Sequence, residues 1–347
     1  MQLTMEPVGE MLATARALEE GGFDTIWLAE AYPWWRKHSM EARSSTATSA
    51  LVAQATERIA VGWGIISPYT RHPVQVAMEA RVVQEVAGPG RFYLGLGASK
   101  IFMKHIGEGE DGRQAKPLSA VRDSVAIIRG VLEGGAVDYE GPVFSAHVPP
   151  LRDDAHTPRG GVPLYVAGTA PKIQRTSGMI GDGLLTPSIT TPAFVRYARR
   201  NMLDGAAEAG RDGESLDLGC TIVASIGEDR DEGRDGAREI AGMYLANKVQ
   251  NIQAAADTLL ELAHLEQDEI GPIAEAMERG GRLAAKAAVT DEILDKCKPI
   301  AGTPSDCIEA IEEYRDAGCT HIMLELWGDK RHDQIELFAQ KVLPHFR

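Results

Sequence analysis

The chain has 347 residues, 44% of them hydrophobic and 25% charged, with a net charge of −14 and a pI near 5.2. That acidity speaks against nucleic acid and against anionic membrane surfaces as partners, because both recruit clustered Lys and Arg. No stretch approaches the ~18 apolar residues of a membrane span, and the opening MQLTMEPVGEMLATARALEE lacks a signal-type apolar core.

The first helix is expected over 6–20, where Val8, Met11, Leu12, Ala15 and Leu18 share one face. Gly21-Gly22 stops it, and residues 23–29 read as a buried strand that runs into Glu30. A second helix is expected over 46–57, then the strand Ile59–Ile66, interrupted by Gly62 and Gly64 around Trp63. Glycine weakens a strand, and it often marks a bulge or a close approach to the backbone. Pro73 opens the next helix, since proline suits the first helical position. Gly88-Pro89-Gly90 ends it before the strand 91–97.

Pro117 opens another helix, and a Pro- and Gly-rich excursion follows over 134–162. The strand 162–168 leads through Gly168-Thr169-Ala170 into a helix over 171–178. A further strand over 181–188, a helix from Pro192 and the strand 216–225 continue the alternation. Residues 226–300 are mainly helical and charged. Thr303, Pro304 and Asp306 then form an N-terminal capping signal. The last strand is 319–327, before a C-terminal helix carrying Ile335, Leu337, Phe338 and Val342.

Apolar strands alternating with helices imply a covered parallel sheet. The number of units suits a (β/α)8 TIM barrel of one domain, with a helical insertion at about 226–300 between strands 7 and 8. An open doubly wound sheet is the runner-up, but Gly95-Leu96-Gly97 lacks the third glycine of a dinucleotide fingerprint. A barrel needs a strand before the first helix, so it is either a stub at Gln2–Met5 or begins upstream. The insertion is expected to serve as a partial lid.

Barrel chemistry sits at the C-terminal ends of strands. That rule selects Glu30, Tyr32, Trp34, Trp35 and His38 after strand two, and Gly64 to Ser67 with Arg71 and His72 after strand three. It adds Gly97, Ala98, Ser99 and Lys100, then Gly168, Thr169 and Ala170, then Ser188, and finally Glu325 and Trp327. Glu30 and His72 are the catalytic candidates, and Trp34, Trp35, Trp63 and Trp327 the walls of a substrate pocket. Gly168-Thr169-Ala170 before a helix forms a candidate anion cradle. The histidines show no HxH or HExxH spacing, so no metal is expected, and no GxSxG elbow is present. Cys220, Cys297, Cys307 and Cys319 lack CxxC or zinc-like spacing and are expected as free thiols of a reducing cytoplasm.

The segments "LEEGGFDTIWLAE", "ERIAVGWGIISPYTRHPVQVAMEARVVQEVAGPGRFYLGLG", "KPLSAVRDSVAIIRGVL", "VPLYVAGTAPKIQRTSGMIGDGLL" and "AGTPSDCIEAIEEYRDAGCTHIML" together resemble the luciferase-like flavin and deazaflavin oxidoreductase superfamily, most closely its methylenetetrahydromethanopterin reductase-like branch. The resemblance implies coenzyme F420 at the C-terminal mouth, with its ring over Gly64 and Ile65. It also implies a bulge and a cis Gly64–Ile65 peptide, and it places the cofactor phosphate at Gly168, Thr169 and Ala170. Gly97, Ala98 and Ser99 would border that groove, and Ser67 or His72 would offer hydrogen bonds. Where the family often has Asp-His, this chain has Glu30-Ala31, which leaves the substrate open and makes His38 a substitute candidate. The activity implied is hydride transfer between deazaflavin C5 and an electrophilic carbon of a small organic substrate, in a homodimer. The alternatives are an FMN-dependent monooxygenase working with a separate reductase, and a catalytically silent flavin-binding protein.

Overall fold

The structure, a computed structural model, describes residues 6–30, 41–99, 116–150, 161–250, 254–328 and 330–347. The chain opens with α1 (Val8–Glu20), β1 (Thr25–Leu28), α2 (Ser45–Ala55), β2 (Ala60–Ile66), α3 (Pro73–Ala87), β3 (Phe92–Leu96) and α4 (Pro117–Leu132). A hairpin of β4 (Val137–Glu140) and β5 (Ser145–Val148) follows, then β6 (Leu164–Ala167), α5 (Pro171–Ile180), β7 (Gly183–Thr186), α6 (Pro192–Glu208) and β8 (Asp217–Ile226). The helical stretch comprises α7 (Arg230–Gln250), α8 (Ala254–Leu262), α9 (Gln267–Ala288) and α10 (Asp291–Cys297). The chain closes with β9 (Ile300–Gly302), α11 (Pro304–Asp316), β10 (His321–Glu325) and α12 (Arg331–Leu337).

The main strands run parallel in the order β1-β2-β3-β6-β7-β8-β10, with β9 pairing the end of β8. This is the expected barrel architecture, with the helical insertion between the seventh and eighth strands of that scheme. The stub at Gln2–Met5 lies outside the described residues. The sheet curls back on itself: His321 Nε2 lies 2.7 Å from Thr25 Oγ1 and accepts from Trp27 Nε1 at 3.0 Å. Asp217 joins them from β8, 3.3 Å from His321 Nδ1, and takes the Tyr165 hydroxyl at 2.6 Å. Thr25, Tyr165, Asp217 and His321 belong to the N-terminal halves of their strands, so this network forms the floor of the barrel.

Local signals explain the helix starts. Proline sits at the first turn of α3, α4, α5, α6 and α11. Thr303 and Asp306 form a reciprocal capping box. Among the described residues no helix is long and apolar enough to cross a membrane, and the four cysteines are free and buried.

Side chains alternate across a strand, so every second residue of each strand faces inward. Trp27, Tyr165, Leu185 and Met323 form that inner cluster, with Ile65, Tyr93 and Ala167 packed against it. This explains Gly62: a Cβ there would lie 2.5 Å from the Trp27 ring, so the strand gives up a side chain to seat an indole. The hairpin β4–β5 occupies part of what the sequence reads as an irregular excursion. Buried Asp123 of α4 pins it, accepting from the Tyr139 hydroxyl (2.9 Å), Val143 N (2.8 Å) and Phe144 N (3.0 Å). A single helix residue thus organises a strand pair that no local pattern announces.

Candidate functional site

All main strands are parallel, so their C-terminal ends share one mouth. On the β2–β3 side two glycines, Gly64 and Gly97, stand at the strand ends. The Gly64–Ile65 peptide is cis, and the β2–β3 register shifts between Trp63 and Ile66, as the bulge expectation requires. Beside it, a Cβ on Gly97 would fall 2.9 Å from Ile65 Cδ1 and 3.2 Å from Ala167 Cβ, so a side chain here would have to displace the tip of Ile65. Buried Ser67 ties the two loops together by donating to the Ala98 carbonyl at 3.2 Å, while Ser99 adopts a left-handed φ of 42°.

Gly168-Thr169-Ala170 leads into α5, whose start has no side-chain cap. Pro171 has no N–H, and the Ile173 and Gln174 N–H groups turn back to the Ala170 carbonyl at 3.1 Å and 3.2 Å, so no side chain is needed to satisfy them. Gln174, fully buried, fixes this turn: its amide donates to the Thr169 carbonyl at 2.9 Å and accepts from Asn201 at 2.8 Å. Lys172 is exposed on the same turn.

Glu30 is clamped. Arg71 reaches it with both terminal nitrogens, at 2.7 Å and 2.9 Å, and Ser45 N donates at 3.1 Å. Burial works against the Arg71 charge, but the hydrogen bonds and charge of Glu30, together with the charge of Glu79, outweigh it and raise the guanidinium pKa. Such bidentate geometry orients both partners. His72 caps α3, its Nδ1 accepting from Val74 N at 3.3 Å while its ring meets Phe144 edge-on at 5.7 Å. Trp63, expected in the pocket wall, sits behind the sheet instead. It is fully buried, its N–H donates to Ser49 at 2.9 Å, and its ring meets Phe92 edge-on. Trp34, Trp35, Tyr32, His38 and Lys100 lie outside the described residues.

On the opposite flank, Trp327 and Tyr244 of α7 form a tilted aromatic pair with centroids 6.0 Å apart. Beneath them lies Glu325, only 1% exposed. Ser188 donates to its Oε2 at 2.7 Å and the Tyr244 hydroxyl donates to its Oε1. Burial pushes the Glu325 pKa up, with the hydroxyl donors and the nearby Trp327 indole pulling partly back. Glu6 completes the rim in an ion pair with Arg331, whose own pKa burial lowers. The strand-end rule finds Glu325, Ser188 and Trp327. It misses Tyr244, which comes from the insertion and carries no local signal.

Residues 1–321 match the family described as luciferase-like monooxygenase. The chain is 30% identical over 335 residues to a 5,10-methylenetetrahydromethanopterin reductase from Archaeoglobus fulgidus, covering 95% of this chain and 93% of that protein. It is 27% identical to an F420-dependent glucose-6-phosphate dehydrogenase from Rhodococcus erythropolis, covering 97% and 94% of the two chains. Among solved structures it is similar to the coenzyme F420-dependent tetrahydromethanopterin reductase from Methanopyrus kandleri, with a TM-score of 0.85, 25% identity and coverage of 100% and 98%.

Proposed function

The chain belongs to the luciferase-like monooxygenase family, and on that premise we propose that it is an F420-dependent oxidoreductase acting on a small organic substrate. The hydride would pass between C5 of the deazaflavin and an electrophilic carbon. The observation that carries this reading is the pair of glycines, Gly64 and Gly97, beside the β2–β3 bulge at the strand ends, where the missing side chains leave backbone for a ring to approach.

The residues present fit the cofactor. Gly64, Ile65, Gly97, Ala98 and Ser99 would hold its ring, and Gly168, Thr169 and Ala170, with the Lys172 charge, its phosphate. When bound, the deazaflavin supplies the hydride chemistry; the protein contributes position and electrostatics. The Glu30–Arg71 clamp holds the start of α2 against the loop before α3. The Tyr244–Trp327 pair offers an apolar wall to a flat acceptor, and Gln174 keeps the anion turn in shape.

Titrating the purified protein separately with F420 and with FMN, followed by cofactor fluorescence, tests this. Saturable F420 binding with little FMN binding is expected. Tight FMN binding without F420 binding would replace the reading with the monooxygenase alternative.

We also infer a homodimer built on α2 and α3. Leu51 is 47% exposed, and Met78 and Val82, one turn apart, are each 56% exposed. These apolar side chains on adjacent helices suit a second copy of the same face. Sedimentation should show a dimer for the parent protein and a monomer for Val82→Glu. A monomeric parent would remove the assignment.

A further inference from the structure

Three described carboxylates stand at the mouth, and their partners set them apart. Glu6 lies against Arg331, and both oxygens of Glu30 meet Arg71. An arginine N–H only donates, so the carboxylate oxygens facing it, both of Glu30 and Oε1 of Glu6, are acceptors there. Glu325 instead faces the Ser188 and Tyr244 hydroxyls, and no described cation forms an ion pair with it. A hydroxyl both donates and accepts, so these partners suit the carboxyl with or without its proton. Burial is the largest influence on Glu325 and favours the neutral acid.

We propose that Glu325 stores the proton that accompanies hydride transfer and that Tyr244 passes it to the substrate. The inference rests on the F420 reading above. As the acceptor's C=N or C=O carbon gains the hydride, its π electrons settle on nitrogen or oxygen. That atom takes the Tyr244 hydroxyl proton while the Glu325 proton moves to Tyr244. Reduced deazaflavin loses two electrons, the acceptor gains them, and Glu325 is left as a carboxylate that water reloads. Tyr244 is placed for this: its ring is part-exposed at the mouth, and its hydroxyl bonds the buried acid. Tyr244 is then the catalytic residue and Glu325 the residue that charges it.

Infrared spectroscopy of the F420-loaded protein reads the charge state directly. A protonated-carboxyl band is expected at neutral pH, absent in Glu325→Gln and shifted in Tyr244→Phe, which removes one hydrogen bond. The Tyr244→Phe shift assigns the band even if Glu325→Gln does not fold. In single turnovers of bound reduced F420 with the faster of an imine and an enone, Tyr244→Phe should slow transfer about a hundredfold. F420 affinity should stay within about twofold of the parent value. F420 binding without the band, or an unchanged rate in Tyr244→Phe, would overturn this inference alone. Failure to bind F420 would overturn it together with the functional reading.

Discussion

Replacing Gly178 by alanine is expected to destabilise the protein by about 3 kcal/mol, the upper end for overpacking a buried contact. Helix propensity alone gives the opposite sign, because alanine is favoured over glycine inside a helix by roughly 1 kcal/mol. Space decides the matter. A Cβ on Gly178 of α5 would lie 1.9 Å from the Met202 carbonyl oxygen of α6, and one on Gly205 of α6 would lie 1.9 Å from the Arg175 carbonyl oxygen of α5. Both obstacles are backbone, so no side-chain rotation relieves them, and the helices must separate. The start of α5 carries the Gly168-Thr169-Ala170 turn, so separation also moves the proposed phosphate cradle. Chemical denaturation should show the loss for Gly178→Ala and for Gly205→Ala. The double variant should lose less than the sum, since one separation relieves both contacts. An alanine variant as stable as the parent would mean that the helices do not meet this closely.

The second large effect lies at the barrel floor. Burial alone would raise the Asp217 pKa, but hydrogen bonds from His321, Thr320 and Tyr165 outweigh it and hold the carboxyl at about 2, against an ordinary 3.8. A carboxylate whose folded pKa is depressed adds stability above its unfolded pKa and loses it as pH falls through the folded one. The difference corresponds to about 2 kcal/mol at neutral pH. Asp217→Asn should therefore be less stable than the parent by about that amount from mildly acidic to neutral pH. The gap should close as pH falls from near 3.8 toward 2. Unfolding curves collected across that range provide the measurement; a gap that persists undiminished at the acid end would rule out the charge as its source.

Much of the fold is legible because punctuation is local. Prolines at the first turns of α3, α5, α6 and α11, the glycines after α1 and α3, and the Thr303–Asp306 box each act within a few residues. The hairpin is not legible, because Asp123 lies 20 positions from Val143, whose N–H it holds. The same limit applies at the mouth. The strand-end rule finds Glu30 and Glu325 but says nothing of their partners, since Tyr244 and Glu325 are separated by 81 positions. The facing of Trp63 was equally hidden. β2 is apolar on both sides, so its pattern cannot tell the helix layer from the barrel interior. From the sequence Gly62 reads as a weak point, a bulge or a ligand approach, whereas the Trp27 ring is the reason for it.

The floor contact carries a consequence for synthesis in the cell. His321 touches Thr25 across 296 positions, so the sheet cannot close until nearly the whole chain has left the ribosome. Until then β1 waits without this partner and β8 lacks the neighbour that β10 supplies. Emerging chains therefore carry unpaired strand edges for most of translation, a state prone to aggregation. Truncation before residue 321 should turn this protein into a chaperone client.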